Sequence, residues 1–205
     1  MLPPIYIFEG PSGSGKTTFM KTLVNMKKIH FVTLPVEVPR PRAYETHDNG
    51  VRLSSLKDML HLWSAVSIGA HQFLPMGIDR GFISQEVYSS IRLGRSLPKL
   101  SILEFQDTSM MIRLHVRKLL NWIIEDFQDR GELLGDELPE LTFVFYLPPV
   151  EVIQSRRDHA TNREYPYSAQ KEYDLYYAHF LRWNDSAILI QNADDERKFI
   201  YDHLL

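Results

Sequence analysis

Ile5-Tyr6-Ile7-Phe8-Glu9-Gly10-Pro11-Ser12-Gly13-Ser14-Gly15-Lys16-Thr17-Thr18 is the stretch on which the fold turns. Ile5 to Phe8 is apolar, rich in β-formers and too short for a helix, so it reads as a buried parallel strand. A run of Gly, Pro and Ser breaks it, and from Lys16 to Met26 the apolar positions return at helical spacing. Between strand and helix, Gly10 to Thr17 satisfies G-x-x-x-x-G-K-[ST] at every fixed position. Glycines let successive backbone N–H groups turn inward around a phosphate, and the next helix adds the positive end of its dipole. Lys16 is then placed for the β- and γ-phosphates of ATP, and the Thr17 hydroxyl for Mg²⁺. Gly10, Ser12, Gly13, Ser14, Gly15, Lys16, Thr17 and Thr18 form the expected cofactor-binding segment.

Outward from this loop, strands and helices alternate. A second strand is expected at Ile29 to Leu34, ending in the proline- and arginine-rich Pro35 to Arg42. Tyr44 to Arg52 reads as a polar loop, and helical periodicity returns from Leu53 to about Phe73, with Leu56, Leu60 and Trp63 on one face. Pro75 to Ile78 is a very short strand candidate running into Asp79-Arg80. Ile102 to Asp129 holds the longest amphipathic pattern, with Met111, Leu114, Leu119, Trp122 and Ile123 as expected core, and Gly131 to Pro139 is a turn-rich acidic linker. Thr142 to Leu147 is the clearest strand, stopped by Pro148-Pro149. Helices over Val150 to Arg157 and Ala169 to Arg182, a strand at Ala187 to Ile190 and a closing helix from Asp194 complete the chain. The alternation predicts one α/β domain over 1–205, a three-layer P-loop NTPase fold with a parallel five-stranded sheet flanked by helices.

Composition removes several function classes. No run approaches the roughly 18–20 apolar residues that span a bilayer. The opening MLPPIYIFEG lacks a basic n-region, so a cytoplasmic protein without membrane partners is expected. The absence of cysteine excludes disulfides, thiolate nucleophiles and cysteine-based zinc sites. A net charge of −3 gives no global case for nucleic-acid binding. A P-loop switch or motor would need an acidic Walker B strand with a water-positioning partner, and the base-reading N-K-x-D of GTPases does not occur.

Phe8-Glu9-Gly10 through Thr18 resembles the opening of thymidylate kinases and of the wider nucleoside and nucleotide kinase group. Asp79-Arg80-Gly81-Phe82-Ile83-Ser84 through Tyr88 resembles that group's D-R-[YHS]-x-x-S-x-x-x-Y segment, and Tyr146-Leu147-Pro148-Pro149-Val150-Glu151-Val152 the strand and turn before its lid. Arg156-Arg157 with Arg163-Glu164 resembles the arginine-rich lid, about 156–167, and Gln191-Asn192-Ala193 falls where the adenine-contacting loop would lie. The resemblance implies a kinase that transfers the γ-phosphate of ATP, with Mg²⁺, to a deoxynucleoside monophosphate, thymidylate-like pyrimidine favoured. It implies Lys16, Asp79, Arg80, Arg157 and Arg163 as catalytic residues, Thr17 and Asp79 at the metal, and Arg156 and Asn192 on the nucleotide. Arg80 would hold the acceptor or the migrating phosphoryl group, with Arg40 and Tyr88 also in the acceptor site. A homodimer through the helix carrying Met110-Met111 is a further implied possibility.

Three departures bear on the acceptor. Ser12 stands where thymidylate kinases carry an acidic residue, and Val36-Glu37-Val38-Pro39-Arg40 where they carry R-E-P-G. Their acceptor-binding third helix supplies an arginine, yet Leu60 to Phe73 contains none. Resemblance to deoxynucleoside kinases offers an alternative, with Glu37 as general base and Trp63 and Gln72 lining the base pocket, acting on a 5′-hydroxyl. A kinase for a hydroxyl on a modified base or nucleic acid is another, using Arg92, Arg95, Lys99, Arg113, Arg117 and Lys118 as a basic groove.

Overall fold

The computed structural model describes residues 2–32, 59–69, 74–92, 102–131, 138–160, 165, 167–183 and 186–205. In chain order these form β1 (Ile5–Glu9), α1 (Lys16–Asn25), β2 (His30–Val32), helical residues 59–69 (α2), β3 (Met76–Asp79), α3 (Phe82–Arg92) and α4 (Ile102–Asp129). Then follow β4 (Leu141–Tyr146), α5 (Val150–Asp158), α6 (Ala169–Trp183), β5 (Ala187–Ile190) and α7 (Ala193–Leu204). All five strands are parallel in the order β2-β3-β1-β4-β5. Open parallel sheets bind ligands outside the carboxyl ends of their strands where the order reverses, and β1 lies at that reversal.

Every residue of β1 is buried, as a central strand covered on both faces requires. The pleat splits its side chains between two cores. Ile5 and Ile7 face α2, α3, α4 and α6, joined by Phe143 and Phe145 of β4. Tyr6 and Phe8 face α1 and α7, where Phe19, Met20, Leu23 and Phe199 close around them with Val144 and Tyr146. Phe8, Phe19 and Phe199 meet edge to face at 5.9–6.3 Å. The three layers and parallel five-stranded sheet are those the alternation predicts.

Two expected helix faces are met in part: Ile123 is core and Leu119 and Trp63 pack against it, while other expected positions face outward. On α4 the buried stripe is Val116, Leu120, Ile123, Ile124 and Phe127, whereas Leu114 and Trp122 are 47% and 53% exposed. On α2, Leu62, Ala65 and Val66 are buried and Leu60 faces outward. Both helices are apolar over more than the stripe that packs, so hydrophobicity alone mis-set the phase. Among the described residues no helix is long and apolar enough to cross a membrane.

Candidate active site

Parallel register builds the site. Phe8 pairs with Asp79 and Glu9 with Phe145, so β1, β3 and β4 end together and release Gly10, Arg80 and Leu147 at one sheet edge. Gly10, Gly13 and Gly15 take φ of 152°, 84° and 101°, the turns that curl the loop. At Gly10 a Cβ would also drive into the Tyr146 carbonyl, so only glycine fits. Gly15 begins α1 without any side-chain cap. The first N–H groups of that helix are therefore open to an anion. α7 differs, because its N-cap Asn192 accepts from Asp194 N and Asp195 N at 2.9 and 3.1 Å. Asn192, expected on the nucleotide, is engaged as a helix cap.

Lys16, Thr17 and Asp79 converge in this cradle. Thr17 Oγ1 donates to Asp79 Oδ2 at 2.8 Å, and Lys16 Nζ lies 3.9 Å from Asp79 Oδ1. Asp79 Oδ1 and Ser14 Oγ are buried without a hydrogen-bond partner in the described structure, a state that buried polar atoms rarely keep in a filled site. Burial lowers the Lys16 ammonium to about 7, helped by Arg80 and opposed by Asp79, Glu9 and Glu172. An arriving phosphate would reverse that effect.

Arg80 sits at φ +66°, a left-handed backbone unusual outside glycine. Its N–H donates to Phe8 O at 2.9 Å, and Gly81 N donates to Glu9 Oε1, also at 2.9 Å. Gly81 is tightly packed here: a Cβ would lie 3.0 Å from Ile7 Cγ2 and 3.4 Å from Glu9 Oε1, so those side chains would have to shift by a few tenths of an ångström. The turn aims the guanidinium back at the loop, where Nη1 donates to Tyr88 Oη at 2.7 Å and Nη2 to Ser12 Oγ at 2.8 Å. Arg80 also lies over the Tyr88 ring, 5.1 Å from its centre.

Glu9 is a site residue that sequence reasoning did not single out. It is fully buried and accepts from Gly81 N and Ser84 Oγ, and Ser84 in turn meets Tyr176 Oη at 2.7 Å. Burial raises its carboxyl to about 7 against those bonds and the Arg80 charge. A raised folded-state value means that its stability contribution is full below about pH 4.5 and lost as pH rises through 7. Glu9→Gln is therefore expected to gain on the order of 3 kcal/mol over the parent at pH 8 and nothing at pH 4. Melting curves at the two pH values check this; an equal effect at both would contradict it.

Two of the expected lid arginines, Arg156 and Arg157, are tied to the backbone of the phosphate loop. Arg156 donates from Nη1 to Ser14 O. Arg157, expected among the catalytic arginines of the lid, is buried: Nε donates to Ser12 O at 2.8 Å, Nη1 to Tyr167 O at 2.8 Å, and Nη2 lies 3.0 Å from Glu172 Oε1. Trp63 is half-buried and packs on the core against Phe127, ring centres 5.5 Å apart. Tyr88 does stand at the loop, bonded to Arg80, Ser12 and Glu172. Glu37, Arg40, Gln72 and Arg163 lie outside the described residues.

No protein-family model matches the chain. No curated protein matches it either. Among solved structures it is similar to a deoxyadenosine kinase from M. mycoides with bound dATP, at 11% identity and TM-score 0.51 over 97% of each chain. The same kinase with products dCMP and a flexible dCDP gives the same identity, TM-score and coverage. That likeness is one of fold: a parallel five-stranded sheet flanked by helices, as in P-loop deoxynucleoside kinases.

Proposed function

We propose that the protein is an ATP- and Mg²⁺-dependent kinase that transfers the γ-phosphate of ATP to the 5′-hydroxyl of a deoxynucleoside. The observation that carries phosphotransfer is the convergence of the uncapped α1 N-terminus, Lys16 and the Thr17–Asp79 pair at one sheet edge. Phosphoryl transfer needs little from a protein beyond positioning and charge stabilisation, and this edge offers donors and a cation to a polyphosphate.

Thr17 and Asp79 also fit Mg²⁺. Both present hard oxygens, and Asp79 Oδ1 has no hydrogen-bond partner of its own. Mg²⁺ keeps most of its shell as water and substrate phosphate, so two protein groups suffice, and among the described residues no larger cluster of acidic or histidine ligands exists. Bound there, the ion would neutralise charge on the β- and γ-phosphates. Lys16 supplies the cation opposite, and Glu37, a few residues beyond β2, is the proposed base for the acceptor hydroxyl.

Two observations favour a nucleoside over a monophosphate. Arg80 spends a hydrogen bond of each terminal nitrogen on Tyr88 and Ser12, which leaves it poorly disposed to grip an acceptor phosphate bidentately. Positions 60–73 offer no arginine in its place. The fold neighbours, structures of a deoxyadenosine kinase, agree with that choice. The thymidylate-like monophosphate reading rests on the Asp79–Tyr88 and Tyr146–Val152 segments and on Arg40, Arg42 or Arg80 as a substitute for the missing arginine. Comparing kcat/KM for deoxynucleosides and their 5′-monophosphates separates the two. Turnover of a nucleoside at least tenfold above its monophosphate is expected, and the reverse preference would return the acceptor site to the monophosphate class.

A further inference from the structure

A phosphate loop turns its N–H groups inward, so its carbonyls point away from the ligand and need partners of their own. Here the partners come from α5 and α6, far off in sequence. Arg157 Nε donates to Ser12 O at 2.8 Å, while Glu172 Oε2 accepts from Ser12 N at 2.8 Å and from Tyr88 Oη at 3.0 Å. Glu172 Oε1 and Arg157 Nη2 complete a buried ion pair at 3.0 Å. Both polar groups of one loop residue are thus gripped by a single ion pair, and its hydroxyl is held by Arg80. The adjacent Arg156 binds Ser14 O, the next outward carbonyl but one. Arg157 extends the contact through Tyr167 O and lies over the Tyr165 ring at 4.8 Å.

We infer that Arg157 and Glu172 are positioning residues, a buried clamp that fixes the nucleotide-binding shape of the phosphate loop before ligand arrives. The inference rests on the nucleotide reading of that loop but not on the acceptor. A buried pair adds little net stability compared with well-packed apolar residues, because desolvation offsets attraction. Its value here lies in geometry: two charges with fixed directions hold the N–H and C=O of Ser12 in one orientation, which apolar packing cannot do.

The test separates position from stability. In the Arg157→Met/Glu172→Met double variant no charge is stranded, so the melting temperature should stay within several degrees of the parent. ADP affinity by calorimetry should fall at least tenfold, and Glu172→Gln alone should show a smaller loss. Parent-like ADP affinity in a folded double variant would overturn the clamp. Amide exchange in the unmodified, nucleotide-free protein gives a second reading that needs no variant. The Ser12 amide should be strongly protected, and rapid exchange there would overturn the clamp even if the double variant fails to fold. An unmodified protein that binds no ADP while protecting Ser12 would instead overturn the nucleotide reading.

Discussion

Lys16→Met is expected to cut turnover roughly a thousandfold while raising the stability of the nucleotide-free protein. The first effect follows from position. Lys16 is buried at the start of α1, and its nearest carboxylate is Asp79 at 3.9 Å, too long for a hydrogen bond. Its ammonium therefore has only a long ion pair with Asp79 and can take a closer anionic partner. The second effect follows from burial, which lowers the ammonium to about 7 from 10.5. Between those values the unfolded chain binds the extra proton, so stability of the parent should rise as pH climbs through that window. The methionine variant should lose this slope and gain a few kcal/mol at pH 7. A phosphate in the cradle should restore the proton, so ADP binding by the parent above pH 7 should take up protons, seen as buffer-dependent binding heats. A variant with full turnover, or one less stable at pH 7, would contradict the role assigned to Lys16.

Asp79→Asn should lower kcat about a hundredfold and raise the Mg²⁺ concentration needed for half-maximal rate. The amide can still accept from Thr17 Oγ1, so the 2.8 Å bond and the local fold survive. What disappears is the negative charge and the free Oδ1 that a cation would use. Binding of ADP in the presence of a chelator should stay at the parent level or tighten, because a carboxylate near the phosphates has been neutralised. Titration of rate against Mg²⁺, with ADP affinity measured with and without the ion, distinguishes this from general damage. An unchanged Mg²⁺ dependence would remove Asp79 from the metal.

What was legible in the sequence was local. Ile5 to Thr18 carries strand, loop and helix signals in immediate succession, and the structure places each where the pattern requires. The limits of α4 coincide with the expected Ile102 to Asp129, because length and amphipathicity are properties of the segment itself. The facing of that helix was legible only in part: Ile123 and Leu119 pack as expected, whereas Trp122 neighbours the buried stripe and only its partners decide which apolar residues turn inward. The least legible features join distant segments. Glu172 lies 160 positions from Ser12, on an amphipathic helix where a carboxylate ordinarily reads as solvent-facing, yet it is 1% exposed. Glu9 was visible beside the loop, but its tie to Gly81 and Ser84 depends on Phe8 and Asp79 sharing a register. Arg157 reads in the sequence as a lid arginine, and its inward posture follows from Glu172. Motif reading finds groups that touch a ligand more easily than groups that hold those groups in place.

The central claim is transfer of a phosphoryl group to a nucleoside rather than its release to water. The most direct measurement is to follow ATP labelled in the γ-phosphate, with Mg²⁺ and a panel of deoxynucleosides, and to ask where the label goes. The account predicts label in a deoxynucleoside 5′-monophosphate, in step with ADP formation, and little in inorganic phosphate. Label recovered only as inorganic phosphate, at a rate indifferent to every acceptor, would contradict it and leave a nucleotide hydrolase in its place.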